Sequence, residues 1–342
     1  MELFAPAVSM AVQRHLHSSI NSRGLTMSHC AAMKLTCFGE ALIDLLPDQK
    51  GALLPIVGGA PANAAVGFAK LGGNAEFIGG LANDAFGKKI RSTLESYGVT
   101  TRYCPAFDNT NTALAVVTLD EHNDRQFSFY RTQSADLLVR EADFAKFQWP
   151  VCGLFHFCSN TLTTSEISKT HMALLKQADV HQQLISFDIN LRLNLWHDVS
   201  QLSSRVEACY AYCDILKFSL EELEYLSEAA NSTPQQYCHW LFSLGVKVVL
   251  VSNGQHPVQL RTQTQYVEVA TPDIEVIDTT GAGDSLISGF LFYISQLGVN
   301  KVNLANSTDK LELAAKFAVR CGAHTCTQLG VMQALPTLEQ VS

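Results

Sequence analysis

The seven-residue run DTTGAGD, from Asp278 to Asp284, has the clearest chemistry in the chain. It lies between an extended apolar run and apolar positions at helical spacing, which predicts that a strand passes into a helix there. Backbone amides of Gly281, Ala282 and Gly283 at such a helix start would bind an anion such as phosphate. Asp284 would repel phosphate unless it accepts a proton from a hydroxyl that attacks phosphorus. The alternative interpretation is an aspartate in the first turn of an ordinary helix.

A second glycine-rich segment, GGAPAN, runs from Gly58 to Asn63 and precedes small and apolar residues at helical spacing. Pro61 suits the first turn of a helix, and Gly72 suits its end. The glycine pair lets the backbone approach a ligand closely, and the Asn63 amide has both an acceptor and donors. The segment therefore predicts a second ligand-binding helix start, with helix capping as the simpler role for Asn63.

Extended apolar segments alternate with helical ones from Leu35 onward, which indicates a mostly parallel sheet with helices on both faces. Strands are predicted at Leu35–Phe38, Glu76–Ile78, Phe155–Phe157, Ile185–Phe187, Ile215–Phe218 and Val246–Val251. Helices are predicted at Pro61–Leu71, Phe86–Tyr97, Ser165–Ala178, Leu220–Ser227, Thr233–Leu244, Asp284–Leu297 and Lys310–Cys321. The expected fold is a doubly wound α/β fold.

Polar residues follow one predicted strand after another. They form five groups: Glu40 and Asp44, Asp188 and Asn190, Ser219 and Glu222, Ser252 and Gly254, and Asp278. The carboxyl ends of parallel strands meet at one edge of a sheet, where open α/β sheets bind ligands. One such residue would be an ordinary cap, whereas five groups at the same edge predict a binding crevice.

Two stretches break the alternation of strands and helices. Residues 45–57 and 100–130 contain strand-like segments and turns without helices. Such strands could form a small sheet that covers the binding crevice as a lid, or an antiparallel extension of the main sheet. A projecting sheet has exposed edges that can pair with a second copy, so we expect a homodimer formed through the lid.

The first 32 residues differ from the rest of the chain. Their only acidic residue is Glu2, and they contain two arginines, three histidines and several serines. This composition has features of an organellar targeting peptide. However, Met27 and Met33 lie shortly before Lys34, where the ordered pattern begins. We expect residues 1–32 to be a disordered extension or an upstream start, and residues 33–342 to be the catalytic domain.

Composition limits the classes of function. A net charge of −8 and a pI near 5.7 argue against nucleic acid as the partner. No apolar run is long enough for a membrane span. The ten cysteines are scattered without zinc-site spacing, which favours free thiols in a cytoplasmic protein. No glycine-rich loop ends in Lys-Ser or Lys-Thr, and no spaced glycine triplet follows the first strand, so P-loop kinases and Rossmann dehydrogenases are disfavoured.

The two glycine-rich motifs, about 220 residues apart and in this order, resemble the signatures of the ribokinase-like, or PfkB, sugar kinases. The resemblance covers residues 34–338, and it is closest to the fructokinase branch. The supporting stretches are FGEALID from Phe38, FSFYR from Phe127, SAD from Ser134, FHF from Phe155 and NLR from Asn190. It implies transfer of phosphate from ATP to a primary hydroxyl of a furanose sugar, with fructose 6-phosphate as the expected product.

The resemblance also implies roles for residues near the sugar. Asp284 is the expected catalytic base, and Gly281, Ala282 and Gly283 are the expected anion hole. Sugar hydroxyls are expected to contact Asp44, Gly59, Asn63, Arg131 and Asp284. A surface ion pair is the alternative role for Arg131, and it is disfavoured by the aromatic residues that precede it.

For the nucleotide, the resemblance implies a second group of residues. ATP is expected to contact Asn190, Arg192, Ser219, Ser252, Gly254, Gly281 and Gly283. Glu222 is expected to influence Mg²⁺ binding indirectly. Asp278 and Thr280 match positions whose backbone oxygens bind a monovalent cation such as K⁺ in some relatives.

Three residues depart from the family pattern, and the acceptor is open. Ile189, Pro257 and Val319 replace a proline, a glycine and an asparagine that are usual near the nucleotide. Other acceptors implied by the family are ribose, 2-keto-3-deoxygluconate, mannose and aminoimidazole riboside. A catalytically inactive sugar- or nucleotide-binding relative is the alternative from another functional class.

Overall fold

The computed structural model describes residues 33–48, 50–119 and 125–342, so the predicted extension at residues 1–32 lies outside the described residues. The strands within these ranges are β1 (Lys34–Phe38), β2 (Leu42–Pro47), β3 (Leu53–Gly58), β4 (Asn74–Ile78), β5 (Leu81–Ala82), β6 (Ala106–Phe107), β7 (Leu114–Leu119), β8 (Arg125–Tyr130), β9 (Gly153–Cys158), β10 (Leu184–Asp188), β11 (Ile215–Ser219), β12 (Val248–Asn253), β13 (His256–Arg261) and β14 (Tyr266–Val269).

Besides five short 3₁₀-helices, the described residues contain ten α-helices. They are α1 (Ala60–Lys70), α2 (Ala85–Ser96), α3 (Ala135–Leu138), α4 (Ser165–Val180), α5 (Leu202–Tyr210), α6 (Leu220–Ala229), α7 (Pro234–Ser243), α8 (Ala282–Gln296), α9 (Thr308–Thr325) and α10 (Leu338–Val341). Every predicted helix is present within four residues of its predicted bounds, whereas α3, α5 and α10 were not predicted.

The main sheet has eight strands in the order β14-β13-β12-β11-β10-β9-β1-β4. The run from β12 to β4 is parallel, and β13 and β14 add an antiparallel edge. One hydrophobic core lies between the sheet and α1, α2, α8 and α9, and a second lies between the sheet and α4–α7. Because both faces are covered, parallel strands such as β10 are buried along their whole length. The predicted doubly wound α/β fold is confirmed.

A separate four-stranded sheet has the order β3-β2-β7-β8. Strands β2 and β3 are antiparallel, β2 and β7 are parallel, and β7 and β8 are antiparallel. We call this the small sheet. The first part of the predicted lid segment, residues 100–113, does not belong to it, because β6 pairs with β5 in a third sheet.

Two local predictions were wrong. The strand expected at Val246–Val251 begins two residues later, at Val248, because the N–H groups of Gly245 and Val246 still donate to carbonyls of the preceding helix. The extended run before Asp278 is not a strand, and Val276 and Ile277 are 56% and 55% exposed. These apolar residues lie in a loop at the carboxyl edge of the sheet, so their pattern reflects a cavity wall rather than a sheet core.

The remaining global predictions concern cysteines and membrane spans. Within the described residues, eight cysteines are free and buried, as the sequence predicted. None of the described helices has the length and hydropathy of a membrane span.

Helix α1 crosses α8 at a point that only a glycine allows. A Cβ atom on Gly67 of α1 would overlap Ser288 Oγ of α8 and lie 3.0 Å from Ser288 Cβ. The small residues along α1 therefore set the distance between the two glycine-rich helix starts.

Gly67→Ala should destabilise the fold by about 1–3 kcal/mol because it overpacks this crossing. In an unobstructed helix the same change would stabilise by about 1 kcal/mol. In a Ser288→Gly background the loss should shrink or reverse, since the obstructing side chain is gone. Denaturant unfolding of the four proteins of this double-mutant cycle measures the coupling, and equal effects of Gly67→Ala in both backgrounds would contradict the packing argument.

Candidate active site

A cavity of about 720 Å³ lies between the carboxyl edge of the main sheet and the small sheet. Most of the predicted site residues line this cavity. They are Asp44, Gly59, Asn63, Asn190, Arg192, Ser219, Glu222, Ser252, Asp278, Thr280, Gly281, Gly283 and Asp284. Arg131, Gly254 and Ala282 do not line it. The five polar groups that follow the strands therefore share one site.

A second cavity of about 540 Å³ adjoins the first and shares Ser252, Val276, Thr279 and Gly283 with it. Gly254 and Ala282 line this second cavity. Most of its other lining residues are apolar: Val258, Pro272, Ile274, Leu286, Val319, Ala323 and Cys326. An apolar slot beside a polar cavity suits a flat aromatic group attached to a charged chain.

The start of α8 forms the boundary between the two cavities. Gly281 caps the helix in the left-handed conformation, with φ of 79°. The Ala282 N–H donates to the Thr279 carbonyl at 3.2 Å, so it is not free as predicted. The N–H groups of Gly281 and Gly283 make no hydrogen bond within the described residues. Two amides at the positive end of the helix dipole can therefore bind an anion.

Asp284 lies in the first turn of α8 and faces Asn63 of α1. Asn63 Nδ2 donates to Asp284 Oδ2 at 2.8 Å. Burial and then the nearby Asp188 carboxylate raise the pKa of Asp284 to about 6, against the opposing effects of Asn63, Lys217 and Arg192. A carboxylate with this pKa is still largely ionised near neutral pH and is a stronger proton acceptor than an ordinary aspartate.

The glycine pair before α1 makes room for the segment that carries Asp44. A Cβ atom on Gly58 would overlap the Asp44 carboxylate, and a Cβ atom on Gly59 would lie 2.6 Å from the Glu40 carbonyl oxygen. Gly59 also has φ of 111°, which a residue with a side chain rarely adopts. These two glycines let three chain segments meet at the cavity wall.

Lys217 is a site residue that the sequence analysis missed. It lies on β11 directly beside Asp188 of β10, and its Nζ is 3.0 Å from Asp188 Oδ1. Its Nζ would lie 2.8 Å from a Cβ atom on Gly283, so it touches the start of α8. Burial alone would lower the pKa of Lys217, but Asp188 and then Glu222 raise it above the ordinary value. A permanent positive charge therefore lies beside the two free amides.

Glu222 does not reach into the cavity with a free oxygen. One of its carboxylate oxygens accepts the Leu191 N–H and the other accepts the Ser219 N–H, each at 2.8 Å. Ser219 Oγ accepts the Glu222 N–H in return, which completes a capping box at the start of α6. Glu222 thus holds the loop that carries Asn190 and Arg192, which fits an indirect role.

Asp278 ties two loops together below the start of α8. Its Oδ1 accepts the Thr280 N–H at 2.9 Å, and its Oδ2 accepts the Gly330 N–H at 3.0 Å. The side chain therefore fixes the backbone of both loops and the direction of their carbonyl groups.

Arg131 lies behind the cavity wall in a buried polar cluster. Its Nε donates to Asp136 Oδ2 at 2.6 Å, and its Nη1 donates to the Asn160 carbonyl at 2.9 Å. Asn160 Nδ2 in turn donates to Glu40 Oε1 at 2.8 Å. Both Glu40 and Asn160 line the cavity, so any effect of Arg131 on a bound molecule passes through them in this conformation.

The small sheet contributes an aromatic wall to the cavity. Phe127 and Phe129 of β8 line it, and their rings stack with centroids 6.2 Å apart. Asn194 Nδ2 donates to the Phe127 carbonyl at 2.8 Å, which connects the small sheet to the loop after β10.

The departures from the family pattern have structural consequences. The Ile189 N–H donates to the Lys217 carbonyl at 2.9 Å, a bond that a proline could not make. Val319 is buried and lines the apolar second cavity. Pro257 lies in β13 outside both cavity linings.

Comparison with known proteins identifies the class. A model of the pfkB family of carbohydrate kinases matches residues 32–338. The chain therefore belongs to the pfkB family of carbohydrate kinases, as its two glycine-rich motifs predicted. It is 33% identical over 346 residues to a probable chloroplastic fructokinase-6 of Arabidopsis thaliana, covering 98% of this chain and 89% of that protein.

Solved structures agree with this assignment. A fructokinase with bound ATP from Xylella fastidiosa superposes with a TM-score of 0.86 at 34% identity, covering 91% of this chain and 97% of that chain. A double mutant of a fructokinase from Vibrio cholerae O395 with bound fructose, ADP and potassium gives a TM-score of 0.82 at 31% identity, covering 91% of this chain and 98% of that chain.

The pKa of Asp284 predicts a pH dependence. As the predicted base, Asp284 must be ionised to accept a proton, so kcat/KM should fall as the pH decreases through about 6. The hydrogen bond from Asn63 lowers this pKa, so Asn63→Ala should move the acid limb to higher pH. Asn83→Ala is the matched control, because Asn83 Nδ2 donates to Asp108 at 2.8 Å on the surface. An acid limb at the same pH in all three proteins would contradict the role of Asp284.

Proposed function

We propose that the protein is an ATP-dependent fructokinase that converts fructose to fructose 6-phosphate. The observation that carries the proposal is the position of Asp284, whose carboxylate lies between a polar cavity and a helix start with two free amides. Family membership and the relatives with bound ATP and bound fructose support the same reaction.

In this mechanism Asp284 accepts the proton of the sugar's primary hydroxyl as the hydroxyl oxygen attacks the γ-phosphorus in line. The bond from the γ-phosphorus to the β–γ bridging oxygen breaks, and ADP is the leaving group. Asn63 fixes the orientation of the carboxylate through the 2.8 Å hydrogen bond. The aromatic wall of Phe127 and Phe129 covers the cavity from the small sheet and excludes water, which protects the phosphoryl group from hydrolysis.

The charge that develops on the transferred phosphoryl group meets positive groups. The free amides of Gly281 and Gly283, the Lys217 ammonium and the Arg192 guanidinium all lie at this side of the cavity. Fixed donors of this kind stabilise a loose transition state without reorganisation. The adenine would occupy the apolar second cavity beside Val319.

Mg²⁺ is proposed to enter with the nucleotide, as is usual where phosphates supply most of its ligands. No group of three or more metal-ligating side chains occurs among residues 33–48, 50–119 and 125–342. Glu222 would act through the loop it holds. K⁺ would bind backbone oxygens near Asp278 and Thr280. The Asp278 carboxylate holds the two loops there in place, so their carbonyl groups have fixed directions that suit a cation.

Other acceptors are less well supported. Fructose should be compared with four other acceptors by measuring ADP release. These are ribose, mannose, 2-keto-3-deoxygluconate and aminoimidazole riboside. An inactive binding protein is disfavoured, because Asp284, its amide neighbours and Lys217 are all in place. Binding of sugar and ATP without sugar-dependent ADP release would favour that alternative.

Asp284→Asn should lower kcat by about 10²- to 10⁴-fold, the usual contribution of a general base, while ATP binding is retained. The matched control is Asp309→Asn, since Asp309 lies in the first turn of α9 and tests a merely helix-stabilising role. Steady-state kinetics and nucleotide titration measure the two effects. Near-normal turnover of Asp284→Asn, or an equal loss in Asp309→Asn, would refute the assignment.

We also propose a homodimer formed through the small sheet. Its edge strands are β3 and β8, and Leu53, Leu54 and Tyr130 on them are 48%, 47% and 64% exposed. Unpaired strand edges with exposed apolar side chains favour association with a second copy.

Leu54→Glu should weaken this association because it places a charge in an apolar contact. Leu313→Glu on α9 is the control, since Leu313 is 49% exposed and lies far from the small sheet in the fold. Sedimentation velocity over a range of micromolar concentrations distinguishes the variants. A monomeric wild type, or a dimer that tolerates Leu54→Glu, would contradict the proposal.

A further inference from the structure

Apart from Asp188 Oδ1, which is ion-paired with Lys217, three buried acceptor oxygens of residues that line the main cavity have no hydrogen-bond partner within the described residues. They are Glu40 Oε2, Asn63 Oδ1 and Asn160 Oδ1. Leaving a buried polar atom unsatisfied costs about 1–3 kcal/mol, so such atoms indicate a ligand that donates hydrogen bonds. Asn63 already has a proposed role with the sugar, whereas Glu40 and Asn160 have none.

Glu40 and Asn160 are held together as a pair, and one side-chain oxygen of each has no hydrogen-bond partner within the described residues. Asn160 Nδ2 donates to Glu40 Oε1 at 2.8 Å, which orients both side chains. Asn160 is itself held through its carbonyl by Arg131 Nη1 at 2.9 Å. Both residues are more than nine-tenths buried. The pair is therefore fixed before any ligand binds, and its remaining oxygens are acceptors only.

The pair lies at the end of the cavity that holds the other candidate sugar contacts. The Glu40 carbonyl is in close contact with Gly59, and Glu40 precedes β2, the strand that carries Asp44. Burial raises the pKa of Glu40, and the charge of Arg131 and the Asn160 amide act in the opposite direction. Arg131 is already paired with Asp136 at 2.6 Å, so its charge does not extend freely into the cavity.

Charge divides the cavity into two ends. Among the described lining residues, the cations are Lys217 and Arg192, which belong to the phosphate end. The other end carries the carboxylates of Glu40 and Asp44, and no third lining cation occurs within the described ranges. Asp284 lies between the two ends, where the charges of Lys217 and Arg192 act on its carboxylate. A carboxylate or phosphate on the acceptor would meet only like charge and acceptor oxygens there, which costs free energy.

Resting on the proposed kinase function, we propose that Glu40 and Asn160 form a hydroxyl-binding pair that determines specificity. The pair accepts hydrogen bonds from hydroxyl groups of the acceptor that are remote from the one phosphorylated. It thereby selects neutral polyhydroxy acceptors and disfavours acceptors that carry an acid group. Arg131 is a positioning residue, which acts through the Asn160 backbone.

Glu40→Gln tests the pair, because it keeps the shape and replaces an acceptor by a donor amide. The KM for fructose should rise about tenfold or more, since a buried hydroxyl then lacks its acceptor. The KM for ATP should stay within about twofold, and kcat should change less than KM. Discrimination against acidic acceptors should also weaken. The inhibition constant of 2-keto-3-deoxygluconate, an acidic acceptor, should therefore fall relative to the KM for fructose.

Two further variants control for folding. Glu76→Gln neutralises another buried carboxylate, which pairs with Lys34 at 2.9 Å in the main sheet, and it should leave all KM values unchanged. Asn160→Ala removes the second acceptor and should raise the KM for fructose independently of Glu40. Thermal unfolding and ATP titration establish that each variant is folded, and if Glu40→Gln does not fold, Asn160→Ala decides the question.

The outcomes separate the two proposals. A wild type that phosphorylates no sugar of the panel would overturn the proposed function, and this inference with it. A wild type that phosphorylates fructose, with unchanged KM and unchanged discrimination against the acidic acceptor in Glu40→Gln and Asn160→Ala, would overturn the inference alone. A rise in the KM for fructose in both variants, with ATP binding intact, supports it.

Discussion

The structure depends on one partly buried interaction, the hydrogen bond from Asn63 to the Asp284 carboxylate between the starts of α1 and α8. A buried carboxylate is costly unless it is hydrogen-bonded, so the two helix starts must meet closely. The crossing of α1 on α8 at Gly67 allows this distance, because any side chain there would meet Ser288. The glycine-rich helix starts and the small residues along α1 therefore serve one purpose, which is to bring Asn63 and Asp284 together. These two residues are 221 positions apart in the chain.

The second level of organisation is the distribution of charge around that carboxylate. Asp188 raises the pKa of Asp284, and Lys217, which pairs with Asp188, lowers it. The two members of the ion pair, which lie side by side in the sheet, therefore shift the pKa of Asp284 in opposite directions. An aspartate with a pKa of about 6 remains largely ionised at neutral pH, and the Lys217 ammonium group lies against the start of α8. Without Lys217 the carboxylates would oppose both the ionised base and an anionic substrate.

Sequence patterns predicted the parts of the fold that local physics determines. Continuous apolar runs identified the parallel strands, and 3.6-residue periodicity identified most helices. Lys217 was missed because a single lysine in the strand ILKFS looks like an interruption of an apolar pattern. The role of this lysine depends on Asp188, which lies opposite it in the neighbouring strand. The register between the two strands is part of the tertiary structure and cannot be read from either segment alone. A useful signal was present nevertheless, since a lysine inside a buried strand requires a carboxylate partner.

The proposed nucleotide side was harder to read from sequence, because two of its acidic side chains bind the backbone of the surrounding loops. Glu222 uses both of its oxygens on main-chain amides, and Asp278 fixes two loops in the same way. The apolar run at Val276 and Ile277 looked like a strand because a cavity wall and a sheet core favour the same residue types. A site that binds through the main chain requires only that its loops keep their shape. Ile189 can therefore replace a proline, since its N–H adds a hydrogen bond to the Lys217 carbonyl that holds the same loop.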